Sequence, residues 1–489
     1  MLPGTKIMMA SLAICLALTG CSTFNNYPKT METPLSAIRA NDLKTAEASF
    51  PKKPEADVDT LLFSFEKGTF EHACADFEAS NQAFKNVYAA YEDKQIGPKI
   101  SISDTSKSGG ALLLNEKLRT YRPDAYERLY MHSLWAMNYL MMADKDEAKV
   151  EIRRGYEQAQ IIKEDKEKEL AALKEKAQKD KVDADSQNNS INTITQGVFT
   201  ADELAAMQSN TVNPYENAYA HYLSGLVREL CGEYSDAYID YENAYRVAPG
   251  SKLLQQQLAK AAKRADNRER CAEWEKKFGP AQSPAEDEGE LFLAFQCGLA
   301  AHKEEVRLTL PIPIQDPETG AMTVVLAPAA FPKYNKTNSR AACLEVMCDG
   351  QSLGKTETLA DMDAIALRNF SDEMPRLVLR QVLRSAGKAA TDYAAMKQGG
   401  ALSGLVKIMN QITEQADLRS CLCAPANLQA MRFSLPEGEH NIELALLDSS
   451  GAVIDQKNYA VTIAAGKITV INARGIDSFV GDAQVSQPI

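Results

Sequence analysis

Chemistry in this 489-residue chain would show first at its histidines, cysteines, serines and carboxylates. Five histidines are present, His72, His132, His221, His302 and His440, and none falls in an H-E-x-x-H or C-x-x-C arrangement. Zinc held by residues close in sequence needs such spacing, so no metal ligand set is expected. Asp183-Ala-Asp185 opens like an EF-hand loop, but Asn188 stands where that loop needs glycine and Ile194 where it needs a bidentate glutamate. The run Gly350-Gln-Ser-Leu-Gly354-Lys355-Thr356 is one residue short of a phosphate-binding loop, and it leaves a hairpin turn instead of opening a helix. Ser385 and Lys388 have the S-x-x-K spacing of an acyl-transfer serine, but so do Ser49/Lys52, Ser64/Lys67 and Ser352/Lys355, and no K-T-G follows. Four occurrences are chance frequency. No G-x-S-x-G elbow is present, and acidic residues are too abundant for any pair to stand out. The sequence therefore assigns no catalytic residue, no metal and no cofactor.

Besides Cys21, discussed below, eight cysteines follow the leader: Cys74, Cys231, Cys271, Cys297, Cys343, Cys348, Cys421 and Cys423. Cys74 and Cys231 fall within helical periodicity, where a thiol reads as a small buried apolar group. Cys343 and Cys348 would lie on opposite faces of one strand about 17 Å apart, too far to pair with each other. Cys421-Leu-Cys423 sits where helix gives way to strand and could bridge to the Cys343/Cys348 strand; the pairing is left open, with at most two bridges expected, both C-terminal.

The elements that would position these groups are of two kinds. From Leu35 to about Lys181, and again from Ala218 to residue 278, apolar residues recur at three- and four-residue spacing, as in helices. Residues 163–181 carry 13 charges in 19 positions, which reads as a solvated helix face laced with i,i+4 pairs, and 182–200 turn Asn/Ser/Thr-rich. Residues 279–288 (GPAQSPAEDE) read as a linker. After it the period shortens: strands are expected at Val306–Leu310, Met322–Leu326 and Leu344–Cys348, the last turning at Asp349-Gly350. A helical insert spans about 359–419, and four more strands follow at 430–435, 441–447, 452–462 and 467–473. The fold class is thus α+β and multidomain: helices at 35–278, with a charged insert at about 163–200, then a β-sandwich-like module at 289–489.

Composition sets the class. With 54 basic and 66 acidic residues the net charge is −12, which excludes a general binder of nucleic acid, since that needs clustered Lys and Arg. A mean hydropathy of −0.31 excludes a protein of many membrane spans. The N-terminus carries an address. One charge, Lys6, precedes an apolar run from Ile7 to Leu18, too short to span a bilayer core of about 30 Å, followed by Leu18-Thr19-Gly20-Cys21. This resembles the lipobox of bacterial lipoproteins. The resemblance implies that residues 1–20 are a signal peptide and that Cys21 is lipidated, with fatty acyl chains such as palmitate. Ser22, in place of Asp, resembles outer-membrane cargo, held facing the periplasm on a tether at 21–34. Two or three acyl chains, at about 0.8 kcal/mol per buried CH₂, anchor effectively permanently.

Ala218 to Ser251 resembles a tetratricopeptide repeat, matching at Gly225, Gly232, Tyr234, Ala237, Tyr241, Ala244 and Pro249. Weaker copies run from Leu129 to about Lys163 and around Gly68. In that family the second, fifth and ninth positions of each first helix face the concave side. The resemblance therefore implies a partner-binding groove lined by Tyr219, Tyr222 and Leu226 in the clear repeat, and by Tyr130, Ser133 and Met137 in the second.

Four further stretches, Asn213 to Gly225, Gly298 to Glu305, Glu414 to Ser420 and Leu435 to His440, together resemble a family of bacterial lipoproteins with tetratricopeptide-like repeats and no established biochemical activity. The resemblance implies architecture and supplies no catalytic residue. Where it leads one to expect an aromatic after Arg419-Ser420, this chain has Cys421. The reading is a lipid-anchored scaffold that binds a partner protein or peptide through its repeats. The alternative is an envelope enzyme acting on peptidoglycan or glycan through a dispersed site.

Overall fold

A computed structural model describes residues 27–52, 59–92, 121–179, 197–208, 212–315, 322–398 and 415–489. The lipobox and Cys21 lie outside the described residues, as do 180–196 of the charged insert. The helical half runs α1 Tyr27–Thr30, α2 Glu32–Arg39, α3 Leu43–Ser49, α4 Thr60–Ala73, α5 Phe77–Glu92, α6 Ala125–Met141, α7 Lys145–Lys179, α8 Ala201–Gln208, α9 Ala218–Leu230, α10 Tyr234–Val247, α11 Lys252–Arg264 and α12 Arg268–Phe278. Body therefore replaces tether from residue 27 onward: Met31, Ala37 and Ile38 are buried in a cluster with Phe70 and Leu299.

Five helix pairs turn by one local device. After each first helix a single residue takes a left-handed conformation: Asn41, Ala75, Ala143, Gly232 and Asp266. The next N–H then bonds five residues back, as in Asp76 to Glu71 and Asn267 to Ala262, which satisfies carbonyls that the helix end leaves orphaned. That next residue also starts the second helix. Asp42, Asp76, Asp144 and Asn267 each accept a backbone N–H three residues on, at 3.0–3.2 Å. Asp42 to Asp76 and Glu233 to Asn267 both span 34 positions, the expected repeat length. Small residues let the pairs close: a Cβ on Gly225 would lie 2.8 Å from the Tyr241 ring, and one on Gly68 2.7 Å from Phe84.

The charged segment departs from expectation. α7 continues unbroken to Lys179, and only part of its 163–179 stretch is a solvated face of i,i+4 pairs such as Lys168–Glu164. The other side packs on the C-terminal helix α13, Met362–Gln398: Leu173 and Ala177 cluster with Leu379 and Leu383, and Glu169 pairs with Arg380 at 2.5 Å. Burying those apolar positions against α13 outweighs leaving the whole segment in water.

The strands are β1 Glu288–Cys297, β2 His302–Gln315, β3 Met322–Asn335, β4 Cys343–Cys348, β5 Gln351–Lys355, β6 Glu357–Asp361, β7 Asn427–Pro436, β8 Gly438–Leu447, β9 Val453–Ile463, β10 Ile468–Ile476, β11 Phe479–Val480 and β12 Gln484–Val485. One sheet has the order β11-β10-β1-β7-β6, with β12 also on β10; a second is β5-β4-β8-β9; β2 and β3 form a separate hairpin. β1 lies parallel to β10 and antiparallel to β7. Its sequence, EGELFLAFQC, is a nearly continuous apolar run because both faces are covered. Leu291, Leu293, Phe295 and Cys297 share a core with Leu344, Val346, Ile442 and Leu444 of the second sheet. Phe292 and Ala294 instead join the core that the helices build. The linker at 279–288 marks a change of period, but the core runs straight across it.

All eight cysteines from Cys74 to Cys423 are free thiols. The bridge that Cys421-Leu-Cys423 could have made to the β4 strand is therefore absent. Cys421 and Cys423 sit over the helical hairpins, bound to Glu66, while Cys343 and Cys348 lie on the second sheet. Cys74 and Cys231 are half-buried residues closing α4 and α9.

Candidate functional site

The face where the repeat resemblance implies a groove is covered by the first sheet. Tyr219, Tyr222, Leu226, Tyr130 and Met137 are all at most 3% exposed, and Ser133 is buried, its hydroxyl donating to the Leu129 carbonyl at 2.7 Å. The Tyr222 ring stacks on Phe292 of β1 at 5.5 Å and meets Tyr241 edge-on at 5.3 Å. The groove assignment of these residues is corrected accordingly: they are core. Aromatic rings that would be costly to leave wet are buried inside the molecule, Tyr222 against Phe292 of the sheet and Tyr130 against Phe65 of α4.

A buried ionic lattice fixes the same interface. Arg432 of β7 reaches two carboxylates, Glu290 of β1 at 3.0 and 2.5 Å and Glu229 at the end of α9 at 2.8 and 2.7 Å. Tyr241 donates to Glu229 at 2.7 Å, and Lys260 and Arg264 of α11 close the lattice on Glu290 and Glu229. Burial pushes the Glu290 carboxyl up, but Arg432 and Lys260 together draw it down to about 2. The guanidinium matches each carboxylate with parallel donors, so helix and sheet meet in one orientation.

A second clamp holds the strap from Arg419 to Ala424. Glu66 of α4 accepts the backbone N–H of Leu422 at 2.5 Å and of Cys423 at 2.9 Å, plus the Tyr27 hydroxyl at 3.0 Å. Glu127 of α6 accepts the Cys421 N–H at 3.0 Å and the Tyr121 hydroxyl at 2.9 Å. Burial raises both carboxyls above their ordinary range. Cys421, where an aromatic was expected, is buried with its thiol 3.5 Å from Thr69 and from Glu66, a site too crowded for a ring.

Three histidines are absorbed by packing and a fourth pairs at the surface. His72 donates from Nδ1 to Asn138 at 2.5 Å and accepts at Nε2 from Gln296 and Asn472, and burial lowers it to about 4, so the ring is neutral. His132 bonds Glu151 at 2.9 Å and stacks on Trp135; His221 bonds Tyr156 and Glu216; His302 bonds Glu304 at the surface. His440 is different: it stands with Cys348 and Asp349, a set that no spacing rule in the sequence could find.

Glu127 and Asp363, the latter pushed by burial to about 6, border a cavity of about 20 Å³ with Tyr130, Ser420 and Cys421, room for one water. Two openings at the surface are larger. One, of about 210 Å³, lies between Ile38, Leu43, Phe70, Arg474, Ile476 and Phe479; the other, of about 280 Å³, lies between Lys29, Arg39, His302, Glu304 and Leu422. Both are lined on one side by the first helices of the described chain. No described helix is long and apolar enough to cross a membrane.

No protein-family model and no curated protein matches the chain. Among solved structures it is similar to MamA, at 13% identity over 50% of this chain and 91% of that one, with a TM-score of 0.27. It is also similar to aspartyl phosphate phosphatase F from Bacillus subtilis, at 12% identity over 51% of this chain and 48% of that one, TM-score 0.29. A third is a tetratricopeptide repeat protein from Parabacteroides merdae, at 12% identity over 47% and 97%, TM-score 0.13. At these scores the likeness carries nothing about what this chain binds.

Proposed function

We propose that this chain is a lipid-anchored envelope protein, held through Cys21 in the outer membrane facing the periplasm, and that it works as a scaffold or adaptor for a partner protein or peptide. Its helices pack on one β-sheet and a second sheet packs on the other face of the first, in the manner of a sandwich. The supporting observation is the 210 Å³ notch, whose apolar wall of Ile38, Leu43, Phe70, Ile476 and Phe479 is rimmed by the polar Asn41, Arg474, Asp482 and Gln484. An apolar floor inside a polar rim is the anatomy of a small protein interface, and it accepts one or two apolar side chains of a partner segment. Leu43 is 36% exposed there, on the hairpin nearest in sequence to the anchor.

Two measurements test this. Intact-mass analysis of the membrane fraction should find an acylated chain beginning at Cys21, and Cys21→Ala should accumulate as unprocessed precursor; an unacylated wild-type chain sinks the anchor. A photo-crosslinker at Leu43 in intact cells should capture a partner that Phe479→Glu no longer captures. Capture unchanged by Phe479→Glu moves the binding surface elsewhere.

A further inference from the structure

We propose that Cys348, Asp349 and His440 form a binding site for one divalent transition-metal ion of zinc's kind, at the turn end of the second sheet. Cys348 ends β4, Asp349 and Gly350 form the turn into β5 with φ of 50° and 84°, and His440 lies near the start of β8. The β4–β8 pairing, which sets Cys348 opposite Ile442, brings them together across 92 sequence positions.

The spacing of the three donor atoms carries the proposal. Cys348 Sγ is 3.6 Å from His440 Nδ1 and 3.5 Å from Asp349 Oδ2, and Nδ1 and Oδ2 are 3.0 Å apart. A tetrahedral zinc ion, with bonds of about 2.3 Å to sulfur and about 2.0 Å to nitrogen or oxygen, has ligand edges of about 3.6 Å involving sulfur and about 3.3 Å between nitrogen and oxygen. The three atoms thus outline one face of a tetrahedron, with one edge to open by about 0.3 Å.

Hydrogen bonds behind the face aim these atoms at its centre. His440 Nε2 donates to the Pro436 carbonyl at 2.8 Å, an oxygen that can only accept, so the neutral ring presents the Nδ1 lone pair. Asp349 Oδ1 accepts the Asn441 N–H at 3.1 Å, which leaves Oδ2 facing inward. Two lone-pair atoms then face each other at 3.0 Å, and a positive centre must lie between them. Without metal, a proton on Nδ1 and the Cys348 S–H, which donates to Asp349 Oδ2 at 3.5 Å, fill this face; one metal ion replaces both protons and engages all three atoms. Outer hydrogen bonds that orient imidazole and carboxylate are the usual support of metal ligands. Cys348 is buried and Asp349 exposed, so the site has three protein ligands and a fourth position open to water.

The test uses the full mature chain in detergent, stripped by chelator under reducing conditions. Cobalt(II) should bind one equivalent with a sulfur-to-metal charge-transfer absorption that zinc(II) bleaches and Cys348→Ser abolishes. Asp349→Asn and His440→Gln should each weaken zinc at least ten-fold. In the unaltered protein, zinc should slow alkylation of Cys348 at least ten-fold, read by peptide mapping, which needs no variant to fold. A cobalt spectrum without the sulfur band, or alkylation of Cys348 indifferent to zinc, would reduce the cluster to a His440–Asp349 ion pair and overturn the proposal.

Discussion

Tyr222→Ala is the sharpest probe of how the helical half meets the sheet. The side chain is fully buried, stacked on Phe292 and set edge-on to Tyr241. Truncating a buried aromatic costs about 3–5 kcal/mol, and each ring pair adds about 0.5–1.5 kcal/mol beyond area. Collapse into the hole is limited, because Gly225 already lets Tyr241 lie against α9 and the Arg432 lattice holds β1 and β7 in place. We expect a loss of about 4 kcal/mol. Urea unfolding followed by fluorescence reads it directly, since both tryptophans, Trp135 and Trp274, lie in the helical half and are buried. Tyr222→Phe keeps the ring and should stay within about 1 kcal/mol of the parent. If Tyr222→Ala costs less than about 1 kcal/mol, the ring faces solvent, and the repeat-derived groove assignment is right after all.

Arg432→Met should cost about 3–5 kcal/mol, because it leaves Glu229 and Glu290 buried without their shared guanidinium; thermal unfolding that matches the parent refutes the lattice. Asp363 gives the pH signature. Its folded carboxyl lies at about 6, above the ordinary value of 3.8, so the folded state binds more protons than the unfolded state between those values, and the parent loses stability as pH rises from about 4 to 6. Asp363→Asn, which keeps an oxygen for the Ala301 N–H, should remove that slope and gain about 2 kcal/mol above pH 7; identical pH profiles for the two proteins would contradict the assignment.

Much of the architecture is written locally. The hairpins announce themselves within 34 residues, because a glycine facing an aromatic ring and a left-handed residue before an Asp or Asn cap act between near neighbours in the chain. Strands β7 to β10 are equally legible, from alternation and from turns such as Asp448 to Gly451. The tertiary structure alone decided what covers the concave face. β1 is apolar on both sides, so its run of residues carries no period, and only the closed fold shows it lying between β10 and β7 with Phe292 under Tyr222. Arg432 meets Glu229 and Glu290 across 203 and 142 positions, and Cys348 meets His440 across 92. No local pattern encodes such partners. They are fixed by which faces of sheet and helix bury one another, a choice made by the summed burial of the whole chain and not by any segment within it.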